Sequence, residues 1–387
     1  MNKKITILCN CRFPSTSAHS VYLARLSESL ENAGASVELV VPKRFKEATE
    51  NPFVYYGIKT PFVIKKIWSF DFLIFGKVLG RLAFIFQYAN FYLFVLGFFA
   101  FRSRNRIIYT MDNLGCLLAF LGFRVIFETH IGIGSYRRHL LPLLKKADRI
   151  VAVNSIIKND FVQAGFSAER ILVAPNGVDL SVFSGTESKE ELRKTLHLPI
   201  SAKIVSYVGK YKTMGMDKGV IELLQAFGVL RLSLSEAHLL IAGLGYGEKI
   251  ELAGVLNSAG IPVSAYTLVG HVSQNVVARY MRSSDVLVMN YPNTAYYKSF
   301  MSPMKMFEYM ASRRPIVTSD LPSVREILDD DTAVFVLPGD LKSLEGGILK
   351  LLTDETLGAR LADRAYEKVL DYTWQKRAER ILRFLGA

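Results

Sequence analysis

One order of elements occurs twice in this chain and constrains its fold more than any other feature. Near the start, an apolar strand at 5–9 is followed by a polar loop, a helical pattern at 21–30 that Gly34 ends, and a second strand at 37–41. The order then restarts, with a strand at 204–208, a basic loop with glycines at 209–219, a helix at 220–230 and a strand at 239–242. Strands that alternate with helices in this way form doubly wound parallel sheets. The sequence therefore predicts two such α/β sheets.

The length of 387 residues suits two domains of roughly 180 residues each. We predict an N-terminal domain at 1–185 that binds the acceptor and a C-terminal domain at 186–365, joined by a linker at about 176–189. An amphipathic helix within 366–387 is expected to pack back toward the domain junction. A plain terminal helix of the second domain remains the alternative.

Short apolar runs predict the remaining strands of both sheets. These runs lie at 107–109, 124–127, 150–153, 171–174, 286–289, 316–318 and 333–336. In open α/β sheets ligands bind beyond the carboxyl ends of the strands. The loops that follow the strands are therefore the places to search for a site.

The positive charge of the chain is concentrated in its first half. Residues 1–185 hold 23 lysines and arginines against 12 acidic residues, and so carry +11 of the net charge of +13. These basic residues lie beside a long apolar run and not along a polar face, which argues against a nucleic-acid partner. Half of all residues are hydrophobic. We therefore predict contact with an anionic membrane surface.

Residues 82–101 form a run of twenty residues without a charge that includes nine aromatic residues. The length meets the criterion for a transmembrane helix, but a span would divide the first sheet between the two sides of the bilayer. A buried helix and an interfacial helix or hairpin stay open, and the basic flanks favour the interface. We predict a cytoplasmic, peripheral protein on the inner face of the membrane, with an apolar and basic segment at about 61–106. The predicted membrane-facing residues are Arg81, Phe84, Phe91, Phe94, Phe98, Arg102 and Arg104.

The cysteines give no sign of a metal site or of a disulfide framework. Cys9, Cys11 and Cys116 are an odd number and lack metal-ligand spacing. The first residues are typical of a β-strand and not of a signal peptide. We expect a reducing cytosol, with Cys9 and Cys11 as small strand residues, and neither a metal nor another cofactor.

Two loops with glycines follow strands of the second predicted sheet. In the loop 209–219, Lys210 and Lys218 surround glycines that let the backbone approach a ligand, which suits a diphosphate. A solvated basic loop is the alternative. In the other loop Gly243 and Gly245 follow a strand and precede a helix, without the full dinucleotide fingerprint.

The segment SPMKMFE predicts the start of a helix that faces an anion. Ser302 is expected at the N-cap and Pro303 at the first helical position, with Met304 and Lys305 following in the first turn. Glu308 lies about a turn and a half into the helix among apolar residues, so its carboxylate needs a partner. A ribose diol would supply two hydroxyl donors, and an internal salt bridge is the alternative.

A fourth loop, at 128–132, ends a strand of the first predicted sheet and contains His130. A lone histidine is more often structural, but the position at a strand end favours a function. Ser17 and His19 belong to the region that follows the first strand of the same sheet. We expect both of them on the acceptor side.

The chain resembles the family 4 glycosyltransferases of the GT-B fold over nearly its whole length. The segments that carry the resemblance are, in order, AHSVYLARLSESLENAG, ETH, APNGVD, YVGK with DKG, LLIAGLG and SPMKMFEYMASRRPIVTSD. The resemblance implies two Rossmann-like, doubly wound domains that face a central cleft. It also implies a retaining enzyme that uses a nucleotide-sugar donor without an essential metal.

The resemblance also implies roles for single residues. Glu308 would bind the donor ribose, Lys210 and Lys218 would neutralise the diphosphate, and His130 would contact the donor sugar near the reacting carbon. Gly243 and Gly245 would flank the nucleotide. The membrane-facing segment leads us to expect a lipid-linked or glycan acceptor.

The chain departs from the family pattern at Phe300, where the family often has a glutamate eight positions before the ribose glutamate. Either the donor differs, or backbone groups of 301–304 replace the carboxylate, or the activity is weak. We favour the backbone groups, because SPMK makes a good helix start. Lys210 also stands where arginine is commoner. A non-catalytic membrane-surface protein of the same fold and a nucleotide-sugar epimerase are the alternative functions.

Overall fold

The computed structural model describes residues 3–45, 50–213 and 215–386, without the side chains of Lys77, Leu79 and Thr213. The chain forms two compact units. One is Met1–Pro175 together with Trp374–Ala387, and the other is Asn176–Thr373. The boundary between the units thus lies at 175/176, before the predicted one at 185/186.

A seven-stranded parallel sheet forms the centre of the first unit, in the order β3-β2-β1-β4-β5-β6-β7. Its strands are β1 Lys4–Leu8, β2 Ser36–Pro42, β3 Val63–Ile67, β4 Ile107–Thr110, β5 Arg124–Thr129, β6 Arg149–Ala152 and β7 Ile171–Val173. The inner strands are nearly continuous apolar runs, as expected for parallel strands that are buried on both faces.

Helices connect the strands of the first unit. They are α1 Ala18–Asn32, α2 Pro52–Tyr56, α3 Gly76–Leu79, α4 Arg81–Ala100, α5 Leu141–Leu144 and α6 Ser155–Gln163. Short 3₁₀ helices lie at Phe72–Phe75, Asn113–Leu121, Ile133–Ser135, Arg138–Leu140 and Ala168–Arg170. Helix α1 begins after Ser17, whose hydroxyl accepts from the backbone N–H of Ser20. It then buries Leu23, Leu26 and Leu30, the residues whose spacing predicted it.

A second parallel sheet, of six strands, forms the centre of the second unit in the order β12-β11-β8-β13-β14-β15. Its strands are β8 Lys203–Val208, β11 Ala237–Leu244, β12 Tyr266–Gly270, β13 Val286–Met289, β14 Ile316–Ser319 and β15 Val334–Val336. A small antiparallel pair, β9 Lys212–Thr213 and β10 Met216–Asp217, lies in the loop after β8. The two predicted doubly wound sheets are confirmed. The second sheet places the ends of β8, β11 and β13 side by side.

The helices of the second unit are α7 Lys189–Thr195, α8 Val220–Ser233, α9 Tyr246–Ser258, α10 Gln274–Ser283, α11 Ala295–Ser299, α12 Met304–Ala311, α13 Pro322–Arg325, α14 Leu341–Thr353 and α15 Glu355–Val369. Short 3₁₀ helices lie at Leu180–Phe183 and Val263–Ala265. The aliphatic residues of α8 and α14 pack on one face of the sheet, and α12 contributes Met306, Phe307 and Met310 to a second cluster.

The last helix, α16 Trp374–Phe384, belongs to the first unit and packs against α1. It starts later than the predicted segment at 366–387, because α15 continues to Val369. One face of α16 is buried in the first unit, and its Arg377 is fully buried. This helix is therefore not a plain terminal helix of the second unit.

Helix α4 covers almost the whole of the long apolar run. Among the described residues it is the helix that is long and apolar enough to cross a membrane, by length and composition only, and 33% of its apolar stretch is buried. The buried residues follow helical spacing and form one stripe. They are Ala83, Gln87, Phe91, Tyr92, Val95 and Phe99. The prediction that Phe91 faces a membrane is therefore wrong, because it lies in this stripe.

Other positions of α4 and the segment before it expose large apolar side chains. The residues that form this apolar surface are Trp68, Phe70, Ile74, Phe75, Val78, Leu82, Phe84, Ile85, Phe86, Leu93 and Phe94. Ring contacts join its parts: Trp68 meets Phe94 with 5.1 Å between centroids, and the Phe70 and Phe75 rings stack at 6.3 Å. Two of the predicted membrane-facing residues, Phe84 and Phe94, lie on it.

The basic residues after α4 have partners within the first unit. Arg102 pairs with Glu38 at 2.6 Å, and its guanidinium lies 4.1 Å from the ring centroid of the partly exposed Phe98. Arg104 donates to the carbonyls of Leu121 and Ala100. Arg104 therefore satisfies carbonyls at the end of α4, a structural role that the sequence did not indicate. Arg81 is exposed at the start of the helix.

Candidate functional site

A close backbone contact between two glycines brings the loop that follows β8 against the carboxyl end of β11, which contains Gly243, in the second unit. Gly209 and Gly243 both have positive φ angles, +141° and +100°. A Cβ atom on Gly243 would lie 3.1 Å from the carbonyl of Gly209. Because a larger residue is strained by conformation and by contact at Gly243, this close approach requires glycine. The two predicted donor loops thus meet.

The loop after β8 is also fixed against the loop after β13. A Cβ on Gly219 would lie 1.8 Å from the carbonyl oxygen of Asn290, and the Asn290 amide donates to the Gly219 carbonyl at 2.7 Å. Asp217 accepts from the backbone N–H of Val220 at 3.0 Å, which caps α8. Met214, at the tip of this loop, lies outside the described residues. Three neighbouring strand ends therefore position Lys210 and Lys218.

The ammonium group of Lys218 has a lowered pKa. Burial lowers the pKa of Lys218 to about 8, and the nearby charge of Lys210 contributes in the same direction. Lys210 is exposed, and its backbone carbonyl accepts from the hydroxyl of Tyr207 at 2.9 Å. An anion bound beside Lys218 would favour its protonated form.

Lys305 is buried beside the same loop and has no counter-ion within hydrogen-bond reach. Its Nζ lies 3.7 Å from the ring centroid of Tyr207 and 5.0 Å from that of Tyr291. Within the described part of the chain, Nζ has no hydrogen-bond partner. Burial holds the pKa of Lys305 well below its usual value, and the charge of Lys218 lowers it further. The sequence did not predict this aromatic enclosure.

The start of α12 differs from the prediction by one residue. The helix begins at Met304 with Pro303 at the N-cap, and Ser302 does not cap it. Instead, the Ser302 hydroxyl accepts from the backbone N–H of Asn176 at 3.0 Å, and the Asn176 amide donates to the Ser302 carbonyl at 2.5 Å. Ser302 therefore anchors the loop, and the first N–H groups of α12 lack a side-chain cap.

Glu308 lies on α12, half-buried, with the amide of Gln274 at 3.4 Å from its carboxylate. Its negative charge partly offsets the effect of burial on Lys305. Phe300 lies at the end of α11 and is partly exposed. Gly245 begins α9, and its N–H donates to the Glu248 carboxylate at 2.7 Å. The residues that were predicted to bind the donor, apart from His130, thus all lie in the second unit.

A second cluster, in the first unit, surrounds His130. The ring nitrogen Nε2 of His130 lies 2.8 Å from the buried carboxylate of Glu128, which also accepts from Tyr22 at 2.5 Å and from Tyr109. An ionised carboxylate only accepts hydrogen bonds. Nε2 must therefore donate, which leaves Nδ1 as the ring nitrogen available to another group.

Arg377 of α16 completes this cluster from a distant part of the sequence. Its guanidinium donates to Glu128 at 2.8 Å and to the Pro175 carbonyl at 3.0 Å. Burial alone would raise the pKa of Glu128, but Arg377 and the hydrogen bond from His130 outweigh it and lower the pKa to about 2. Two residues of this cluster were not predicted: Glu128, although the ETH segment contains it, and Arg377, for which no local signal exists.

Ser17 and His19 lie where β1 connects to α1. The pKa of His19 falls to about 4, first through burial of the ring and then through the charge of His130. Nε2 of His19 is 3.1 Å from Sγ of Cys9. Strand β1 ends at Leu8, so the prediction that Cys9 and Cys11 are strand residues is wrong. They belong to the loop, where the Sγ atoms and a ring nitrogen of His19 lie within 4.8 Å of one another.

Comparison with protein families gives two matches that follow one another along the chain. Residues 19–182 match the model described as Glycosyltransferase Family 4, and residues 202–354 match the model described as Glycosyl transferases group 1. The matched segments correspond to the two units.

A curated relative is the phosphatidyl-myo-inositol mannosyltransferase of Mycobacterium leprae, which is 30% identical over 246 residues, or 63% of this chain. This match covers 60% of that relative's length. The matches to two further curated relatives cover 45% and 55% of their lengths. The chain thus spans less than two thirds of these relatives.

Solved structures share the fold over the whole chain. The Anabaena protein HepE, in complex with UDP-glucose, superposes with a TM-score of 0.74 at 16% identity and covers 99% of both chains. The sucrose-phosphate synthase of Thermosynechococcus elongatus superposes with a TM-score of 0.75 at 17% identity, over 100% of this chain and 98% of the other.

Proposed function

The chain belongs to the family 4 glycosyltransferases of the GT-B fold, and from this membership we propose that it transfers a sugar from a nucleoside-diphosphate donor to a membrane-associated acceptor. One observation carries the proposal. Lys210, Lys218 and Lys305 gather around the glycine contact between the loop after β8 and the end of β11. Such a concentration of positive charge at strand ends suits a diphosphate.

The three lysines suit the charge that develops when the bond between sugar and diphosphate breaks. The leaving group is a nucleoside diphosphate, and positive groups already in place stabilise its negative charge in the transition state. The N-terminus of α12 adds a partial positive charge and free N–H groups. In this proposal these groups do the electrostatic work, and neither a metal nor another cofactor is required.

Lys305 has a specific part in this arrangement. Its amine is enclosed by Tyr207 and Tyr291 and has a lowered pKa. A diphosphate would supply the missing counter-charge and so favour the protonated form of Lys305. The tyrosine rings face this cation, which is a favourable contact.

Roles for Glu308 and for His130 are proposed from family membership. A carboxylate on α12 is suited to two hydroxyl donors of a ribose. His130 is proposed to contact the donor sugar through Nδ1, with Glu128 and Arg377 as positioning residues that fix the ring. Retention of the anomeric configuration is proposed from family membership. With Phe300 in place of the second glutamate, we assign the sugar hydroxyls to backbone groups of 301–304.

The acceptor is proposed to be lipid-linked or a glycan held at the cytoplasmic face of the membrane. The apolar surface of the first unit supports this proposal, because contiguous exposed apolar area of this kind marks an interaction surface. The same half of the sequence carries +11 of the net charge, which favours anionic lipid. The protein is accordingly proposed to be peripheral and monotopic.

The donor assignment is tested by measuring nucleoside-diphosphate binding to the purified protein by calorimetry. Glu308→Ala is expected to weaken binding at least about tenfold, since it removes at least one charge-assisted hydrogen bond of ~1.5–3 kcal/mol. Glu367→Ala is the matched control, because Glu367 is an exposed helical glutamate of the same unit. Wild-type affinity in Glu308→Ala would contradict the ribose assignment.

The reaction itself is tested by release of nucleoside diphosphate from a panel of nucleotide-sugars with membrane extract as acceptor. Release that depends on acceptor and falls in His130→Ala is expected. An epimerase would release no nucleoside diphosphate. A protein that binds membranes but no nucleotide would instead be a non-catalytic member of the fold, the alternative that the missing glutamate at Phe300 keeps open.

A further inference from the structure

Two thiols and an imidazole meet between β1 and α1. Cys9 follows β1 directly, Cys11 lies two residues further, and His19 is in the first turn of α1. The three ligand atoms, two Sγ atoms and a ring nitrogen, all lie within 4.8 Å of one another. Sugar transfer as proposed above makes no use of either thiol. This cluster therefore needs another explanation.

The backbone around the cysteines is fixed. The N–H of Cys9 donates to the Val40 carbonyl at 3.1 Å, which extends the pairing of the sheet. Asn10, between the cysteines, donates its backbone N–H to Asp112 and accepts from Arg44 through its side chain, each at 2.6 Å. Groups that are held in this way lose little freedom when they bind a ligand.

The histidine is fixed from the other side of the loop. Ser17 caps α1, with its hydroxyl 3.1 Å from the backbone nitrogen of Ser20. The hydroxyl of Ser15 contacts those of Ser17 and Ser20 at 3.0 and 2.8 Å, and Ser20 donates to the Arg12 carbonyl at 2.9 Å. His19 therefore projects from a helix start that the loop itself holds in place.

Two thiolates and a neutral imidazole are ligands that Zn²⁺ prefers. Ordinary Zn–S and Zn–N bond lengths in a tetrahedral site place two sulfurs about 3.8 Å apart and a sulfur about 3.5 Å from a nitrogen. Sγ of Cys9 and Nε2 of His19 are 3.1 Å apart. A separation of a few tenths of an ångström would therefore admit the ion.

We propose that Cys9, Cys11 and His19 bind a thiophilic divalent cation, with Zn²⁺ as the probe, and that a fourth coordination position stays open. The site goes beyond the proposed sugar transfer and does not depend on it. His130 lies close enough to His19 for its charge to contribute to the lowered pKa of His19. A bound cation would thus occupy the acceptor-side loop and withdraw His19 from any substrate.

The test uses full-length, reduced protein without a tag, titrated with Co²⁺ and followed by absorption. We expect one Co²⁺ per chain, a thiolate-to-cobalt charge-transfer band and the visible bands of a four-coordinate site, all removed by one equivalent of Zn²⁺. Cys11→Ser and His19→Gln are expected to weaken Zn²⁺ binding more than about tenfold, because even partners outside the coordination shell have effects of that size.

Two substitutions serve as matched controls, and both are expected to bind as the wild type does. Cys116→Ser removes the third thiol, which lies outside the cluster, and His139→Gln removes an exposed histidine of the same unit. Cys9 is buried, so Cys9→Ser counts only where circular dichroism shows a folded protein. Cys11 and His19 keep part of their surface exposed and therefore carry the test.

Two results would overturn the proposal. One is the absence of the charge-transfer band in protein whose three thiols titrate as free. The other is a band that survives both Cys11→Ser and His19→Gln. A count of one free thiol in metal-free, denatured protein would also refute it, because Cys9 and Cys11 would then form a disulfide.

Discussion

Lys218 is the titratable residue of the donor loop whose charge a nucleotide is expected to change. Its pKa of about 8 leaves about half of the free protein without this charge near pH 8. A diphosphate binds the protonated amine, so binding takes up a proton as the pH approaches and passes 8. We expect affinity to be greatest below about pH 7 and to fall by up to about tenfold per pH unit above pH 8. Calorimetry in two buffers of different ionisation enthalpy measures both the affinity and the proton uptake.

Lys218→Arg is the matched variant for this pH dependence. An arginine keeps its charge at every pH used, so the variant is expected to lose the part of the pH dependence that Lys218 causes, and its affinity should fall less steeply than that of the wild type from pH 7 to about pH 9. Lys342→Arg, at an exposed position of α14, should leave the wild-type profile unchanged. A wild-type affinity that does not vary between those pH values would show that the diphosphate does not interact with Lys218.

Lys305→Met is expected to stabilise the protein and to weaken nucleotide binding. Burial disfavours the charged form of Lys305 in the folded state. At neutral pH this lowers the free energy of unfolding, and the loss becomes smaller as the pH rises toward the ordinary lysine pKa. An apolar side chain of similar length removes this loss. We expect the free energy of unfolding in urea to rise by about 1 kcal/mol and nucleoside-diphosphate affinity to fall at least about tenfold. A variant that loses stability and keeps its affinity would contradict this role.

The sequence predicted some of these residues and not others for physical reasons. Lys218, Gly243 and Glu308 follow strand ends or begin a helix, and such positions can be recognised from neighbouring residues. Ser302 was predicted as an N-cap because serine is preferred there. Asn176, which is 126 residues away, binds its hydroxyl instead. The cluster of Cys9 and His19 was missed for the same reason, since spacing does not show which side of a loop each residue faces.

At the scale of elements, α16 is expected to determine the stability of the first unit through Arg377. The guanidinium is fully buried against Glu128. Arg377→Ala would leave that carboxylate buried without its partner, and we expect a loss of about 3–5 kcal/mol in the free energy of unfolding. Arg383→Ala, on the exposed side of the same helix, is expected to have little effect. Urea denaturation followed by tryptophan fluorescence measures both, because Trp374 contacts Tyr22 in this unit.

The ion pair of Arg377 and Glu128 also makes the stability of the protein depend on pH, and this can be measured separately. The folded-state pKa of Glu128 is depressed to about 2, so its contribution to stability is complete above its ordinary pKa of about 4.5 and is lost as the pH falls toward 2. Wild-type protein is therefore expected to lose stability between about pH 4.5 and pH 2. In Arg377→Ala that loss should be much smaller. Parallel pH profiles for the two proteins would exclude Arg377 as the cause.

Two of the edge strands were not predicted from the sequence. Strands β3 and β12 each lie at one edge of their sheet and were missed, whereas β7 and β15, at the opposite edges, were predicted from their apolar runs. The sequence of β3, VIKKI, exposes Val63 and Lys65, and every residue of β12 is only partly buried. Neither strand therefore has the buried apolar run that identified β1, β8 and β13.

At the scale of the whole molecule, apolar area and positive charge lie in the same unit and suggest separate roles at a membrane. Removing an exposed apolar side chain from water yields ~1.5–3 kcal/mol, whereas a lysine or arginine near anionic lipid contributes ~1 kcal/mol. The apolar surface includes eleven such side chains, from Trp68 to Phe94. Burial of only a few of them would exceed the electrostatic term. Charge would therefore orient the protein, and the apolar residues would anchor it.

Vesicle flotation with anionic and with neutral phosphatidylcholine liposomes tests this division. We expect wild-type protein to float with anionic vesicles at low salt and to remain partly bound at high salt, because salt screens only the electrostatic term. The double variant Phe84→Ser with Leu93→Ser removes two side chains that are 67% and 69% exposed. It should keep its fold and lose about 3–6 kcal/mol of membrane affinity, which removes binding at high salt.

Leu232→Ser is the control for that variant, because Leu232 is an 88% exposed leucine on a helix of the second unit. It should float as the wild type does. If neither protein floats at low salt, the apolar surface is not a membrane surface, and the proposed membrane-associated acceptor loses its support. If the double variant floats as well as the wild type at high salt, the anchor lies elsewhere in the chain. If the double variant binds only at low salt, apolar burial and charge contribute separately to membrane affinity, because salt weakens only the contribution of charge.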